Sequence, residues 1–173
     1  MRMLLAAMLI AAGPVTAQTP QPGYPKRVPA PGGEVVLPSA GSERAYDEFH
    51  YAPARRAGDY LYVSGVVIGR APGEANDDAA FRMQVRRGFQ ALQRILQASG
   101  ARFEDVVMVN SFHVWNGPDY PGEPLKQYRV FDEVRSEFIK APYPAATAVG
   151  TTGLLAPGGI VEVQLIAYLP QKR

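Results

Sequence analysis

Cysteine is absent from the 173 residues. No disulfide can therefore staple the chain, and no thiolate can serve as nucleophile or soft metal ligand. Histidine occurs only as His50 and His113, on separate segments without ligand spacing, so a metal site has no basis in the pattern. His113, on a strand beside Trp115, reads as a packed or interface residue. Phosphate-binding loops of the G-x-x-x-x-G-K and G-x-G-x-x-G types are missing. Ser64-Gly65 lacks the preceding glycine of a G-x-S-x-G nucleophile elbow. The net charge is only +2, and Lys and Arg are dispersed. That excludes a nucleic-acid groove built on a basic stripe. Nothing in the sequence calls for a cofactor.

What is present begins with an address. Met1 to Ala17 reads as a secretory signal peptide. Arg2 supplies the positive end, Met3 to Ala12 the short apolar run, and Val15-Thr16-Ala17 the cleavage site. The run is too short to span a bilayer, so the mature chain is expected to be periplasmic or secreted, without a membrane anchor. Residues 18–42 are rich in Pro and Gly and read as a linker or N-terminal arm, in which Glu34 to Leu37 could pair as an edge strand. The domain is expected over residues 43–173, one unit by length.

Within it, Phe49–Arg56 and Tyr60–Gly65 flank the turn Ala57-Gly58-Asp59 as a hairpin. Asp77 and Asp78 cap a helix whose apolar stripe runs through Ala80, Phe81, Val85, Phe89, Leu92, Ile95 and Leu96, with Gly100 at its end. Val106–Val114 reads as a strand. Pro124 opens a second helix with a stripe of Leu125, Tyr128, Phe131, Val134 and Phe138. Ala145–Thr151 and Ile160–Leu169 read as a closing hairpin around Ala156-Pro157-Gly158-Gly159.

The expected order is β-β-α-β-α-β-β, an α+β fold with a mixed sheet and two helices on one face. Several strands carry large apolar or aromatic side chains on both faces. The second face then needs cover, and another copy of the chain is the economical source, so a homo-oligomer is expected.

Glu162 stands out. Its strand alternates Val161, Val163, Leu165, Ala167 and Leu169 against Ile160, Glu162, Gln164, Ile166 and Tyr168. A carboxylate amid apolar neighbours is costly unless it meets water or a partner. A solvent-facing Glu fits the pattern. So does a cleft residue that, with Tyr51, Ser64 and Gly65 at nearby strand ends, positions a water or shuttles a proton.

Four stretches in order resemble the RidA (YjgF) family: YAPARRAGDYLYVSG (Tyr51–Gly65), ILQASGARFEDVVMVNSF (Ile95–Phe112), YRVFDEVRSEF (Tyr128–Phe138), and YPAATAV followed by IVEVQLIA (Tyr143–Ala167). The resemblance implies a chorismate-mutase-like fold and a homotrimer with small-molecule clefts between subunits. It also implies hydrolysis of reactive enamines and imines such as 2-iminopropanoate. By the same resemblance, Tyr51, Ser64, Gly65, Val66, Ala146 and Ala148 fall on ligand-binding positions, and Glu162 on that of the catalytic residue.

Two positions depart from the family pattern. The P-x-R-[ST] motif, whose Arg grips the substrate carboxylate, reads Pro144-Ala145-Ala146-Thr147, and the Gln that usually follows Ser-Gly is Val66. A guanidinium fork suits a planar carboxylate, and a methyl group offers no such bond. Two readings follow: a metabolite-binding trimer with imine hydrolysis lost or redirected, or a deaminase acting through Glu162 on another substrate, with Arg55, Arg56 or Arg70 as a substitute cation. Ribonuclease activity, also attributed to the family, finds no basic groove or acid–base His pair here.

Overall fold

The computed structural model describes residues 22–170. The expected signal peptide, its cleavage site and residues 18–21 of the arm lie outside the described residues. The elements run β1 (Lys26–Ala30), β2 (Gly33–Leu37), α1 (Ala40–Phe49), β3 (Ala54–Ala57), β4 (Tyr60–Gly69), α2 (Asp78–Ala98) and β5 (Val106–His113). A short ladder of β6 (Asn116–Gly117) and β7 (Tyr120–Pro121) follows, then α3 (Pro124–Phe138), β8 (Ala145–Gly150) and β9 (Gly159–Tyr168). Seven strands form one mixed sheet in the order β1-β2-β3-β4-β9-β5-β8, parallel only between β5 and β8.

The two long helices form for the reasons read above. Asp77 accepts a hydrogen bond from the Ala80 amide at 2.8 Å, satisfying one orphan donor of α2. Gly100, at φ +77°, takes the left-handed conformation just past its end. Pro124 begins α3, where a missing N–H costs nothing. Both helices lie on one sheet face. Phe81, Val85, Phe89, Leu92 and Leu96 of α2 and Val130, Phe131 and Val134 of α3 are buried against Leu61, Val63, Val109, Val161, Val163 and Leu165. Each fully buried side chain of this size contributes roughly 1.5–3 kcal/mol. On α3 the expected stripe holds at Tyr128, Phe131, Val134 and Phe138 and fails only at its first residue. Leu125 is 70% exposed, whereas Gln127 is fully buried because it serves a buried histidine.

Three expectations are corrected. Residues 26–37, assigned to the arm, form two strands of the sheet, of which β2 is the strand expected over Glu34 to Leu37, though it lies between β1 and β3 and not at the edge, and α1 adds a third helix whose span includes the expected domain start. Composition misled here: the Pro and Gly residues sit in the turns, at Pro31-Gly32, and at the strand margins. The N-terminus of α1 is capped by Ser39, which accepts from the Ser42 amide. Val35 and Leu37 share a sheet face with Arg55 and Tyr62, opposite α2 and α3, and both are buried. With Ala45 they form a small cluster apart from the main core. Lys26, of the same parity, pairs with Glu43 of α1 at 2.7 Å. Thus α1 covers the β1–β2 end of the second face.

The third correction concerns the closing hairpin. Strands β8 and β9 are separated by β5. The Thr151 amide donates to the His113 carbonyl at 2.8 Å, so residues 151–158 pass the end of β5 before β9 begins.

The close approach of α2 to the sheet depends on Gly88. A Cβ there would sit 2.4 Å from Cγ1 of the buried Ile68. In an exposed helix, Gly→Ala gains roughly 1 kcal/mol. Here overpacking reverses the sign, and Gly88→Ala is expected to destabilise by about 1–3 kcal/mol. Urea unfolding checks this; a raised midpoint would refute the packing account.

Candidate functional site

The site is made by an irregularity in β4. Val63 registers with Leu165, Val66 with Val163 and Val67 with Glu162, so β4 carries one extra residue at Ser64-Gly65. This is a β-bulge, and it shifts the in–out alternation of everything after it. Val67 faces outward and Ile68 inward as a result. The Ser64 hydroxyl donates to the Ala52 carbonyl at 2.6 Å, and its amide to the Pro53 carbonyl at 3.0 Å. These bonds tie the segment after α1, including the half-exposed Tyr51, alongside the bulge.

Gly65 and Glu162 meet directly. A Cβ on Gly65 would lie 1.9 Å from the Glu162 Oε1 and under 3 Å from two more of its side-chain atoms. The carboxylate occupies the space that any other residue's side chain would fill. It is partly buried, with no hydrogen bond or ion pair among the described residues. Val67 and Phe112 flank it in register, with Val149 beyond. One row along, the Asn110 amide donates to Gln164 at 3.2 Å. Tyr60, Tyr62 and Tyr168 are exposed on the same face, the two end tyrosines with ring centroids 5.4 Å apart. The uncovered face is thus apolar and aromatic, with Glu162 set into it.

The other sequence-predicted residues divide. Ser64, Gly65 and Glu162 meet at the bulge, and Tyr51 immediately precedes the Ala52 carbonyl that Ser64 binds. Val66 does not join them: it registers with the buried Val163 and packs against the helix-side core. The resemblance placed it at the ligand because it follows Ser-Gly, but the bulge turns its side chain to the helix side. Ala146 and Ala148 lie on the exposed edge strand β8, in register with the buried Val109 and Ser111. Thr147 registers with Asn110 and shares the Glu162 face. Within one chain, therefore, Ala146 and Glu162 sit on opposite sides of the sheet, with β5 between their strands. Among the cations weighed as substitutes, Arg55 donates to the carbonyls of Pro31, Glu34 and Arg56. Arg56 donates to the carbonyls of Gly58 and Leu169, and Arg70 binds Asp119 and the Glu74 carbonyl. None bonds to Glu162.

The sequence profile of "Endoribonuclease L-PSP" matches residues 42–169. The chain belongs to that family, the RidA/YjgF family. It is 38% identical over 134 residues to the RutC family protein YjgH of Escherichia coli strain K12, covering 77% of this chain and 93% of the relative. It is 29% identical over 119 residues to a 2-iminobutanoate/2-iminopropanoate deaminase of Dermatophagoides farinae, covering 69% and 85%. Among solved structures, protein YJGH superposes with a TM-score of 0.57 at 37% identity, covering 73% of this chain and 89% of that one. The RidA-type fold expected from the motifs is therefore the fold observed.

This RidA-family chain also holds a buried polar network beneath α3. Gln127 donates through Nε2 to the Val114 carbonyl at 2.8 Å, so its Oε1 accepts from His113 Nδ1 at 3.0 Å. His113 Nε2 then accepts from the Ser111 hydroxyl at 2.9 Å. Phe131 and Tyr128 pack edge-on against the imidazole. The histidine is the packed residue expected, and its network pins α3 to β5. The signal missed in the sequence was Gln127, a polar residue one turn before Phe131. Burial holds the imidazole below its usual pKa, opposed in part by the Gln127 bond.

The sign of the pH effect follows. A histidine kept neutral in the folded state favours folding above its ordinary value of 6.5, and that contribution is lost as pH falls below it. Unfolding free energy should thus decline between about pH 7 and pH 5, and His113→Gln should flatten the decline. Urea titrations of both proteins test this.

Proposed function

We propose that the chain is a homotrimeric RidA-family protein that binds a small metabolite in clefts between copies and has little of the family's activity on 2-imino acids. The bare β4-β9-β5 face, rich in exposed aromatic side chains, is the surface a second copy would cover. In the assembled trimer, the Glu162 face of one copy and the β8 edge of another would meet at a cleft. That arrangement answers why the two lie on opposite faces of a single chain.

The reading is carried by the Glu162 carboxylate lying over Gly65, together with the resemblance by which Ala146 falls at the position of the carboxylate-gripping Arg. Losing a charge-assisted bidentate contact costs roughly 1.5–3 kcal/mol or more of substrate binding. Acting on a substrate without a carboxylate is the second reading. The unpaired Glu162 favours it, because a carboxylate held beside a cleft can position water or take a proton from an enamine or imine. The deaminase relative lends this reading support as a family precedent.

Purified protein supplied with 2-iminopropanoate generated in situ is expected to hydrolyse it little faster than buffer, while light scattering reports a trimer. Ala146→Arg should raise hydrolysis by about tenfold or more. A rate in the wild-type protein equal to that of an active RidA deaminase would refute the proposal, as would a monomer.

A further inference from the structure

The inference concerns the charge of the ligand, and it rests on the reading above that the Glu162 face lines a cleft. We infer that the site takes a small primary amine, as an ammonium on a short apolar body. The Glu162 carboxylate has no hydrogen-bonding or charged partner among the described residues, and the Gly65 notch keeps it against the strand backbone instead of out in solvent. Its row of the sheet is Val67, Glu162, Phe112 and Val149, which offers no other charge. Residues 151–158, which lead into β9, contain no charged side chain. The one cation of β3 on this face, Arg55, lies two strands from β9 and is engaged by three backbone carbonyls.

A partly buried carboxylate with apolar flanks repels an anionic ligand and attracts a cationic one, more strongly than it would in open water. The exposed ring of Phe112 beside it adds a face suited to an ammonium group. Where a guanidinium and a carboxylate share a cleft, their charges offset each other. With a methyl in place of the guanidinium, the negative charge of Glu162 stands alone. Ligand selection then turns from carboxylates towards amines.

A matched pair of probes isolates the charge: isobutylammonium and 3-methylbutanoate, which share the same apolar body. Their affinities for the full chain, measured by saturation-transfer NMR titration, should differ by about tenfold in favour of the amine. Glu162→Gln should remove about that factor for the amine, and Ala146→Arg should reverse the preference. The inference is overturned if the carboxylate binds as well or better, if the amine does not bind, or if its affinity is unchanged in Glu162→Gln. Light scattering on the same sample separates the two levels. A trimer that prefers the carboxylate loses only the inferred ligand charge, whereas a monomer that binds neither probe loses the cleft as well.

Discussion

The candidate site depends on one close contact, the Glu162 carboxylate lying over the backbone of Gly65. It needs a residue without a Cβ at one specific place in β4. It also needs that residue to face the same way as Glu162. The extra residue in β4 opposite Gln164 meets the second requirement, by breaking the alternation that would have turned Gly65 inward. Ser64 holds the irregularity in place through its bonds to Ala52 and Pro53. The same bonds fix the segment that follows Tyr51 beside the bulge. One bulge therefore sets the position of a carboxylate, a tyrosine segment and the outward turn of Val67.

The sheet's two faces have different tasks. One is closed by α2 and α3, with Phe89 packed against Phe103, Phe131 and Phe138 and His113 held in a fixed tautomer beneath α3. Among the described residues, the other is covered by α1 only at its β1–β2 end. The remainder presents Phe112 beside Glu162, and Tyr62, Tyr60 and Tyr168 further along the same face. A well-packed face behind a bare one is what the proposed cleft between copies would need, because side chains on the bare face are mounted on strands backed by a close-packed core.

Much of this was legible in the residues. Helix α2 follows from its cap, its stripe and Gly100. Strand β9 follows from its alternation, and the family motifs fixed the fold. The prominence of Glu162 was visible as a polar residue in an apolar strand. Less was legible wherever local chemistry carries two meanings. Proline and glycine between residues 18 and 42 mark turns between strands as readily as they mark a linker. Gln127 looks like a solvated helix position until His113 is found beneath it. Val66 looks like a neighbour of Gly65 in the pocket until the bulge turns it into the core.

By itself the sequence determined the elements with strong periodic patterns, their order, and the residue types available for chemistry. Those depend on spacing along the chain. Tertiary structure alone decided that β5 lies between β8 and β9, that Ala146 and Glu162 occupy opposite faces, and that Glu162 has no counter-charge among the described residues. These are outcomes of strand pairing between distant segments and of a single inserted residue. Hydrophobic periodicity does not encode strand neighbours, and a bulge reverses its meaning without altering its appearance.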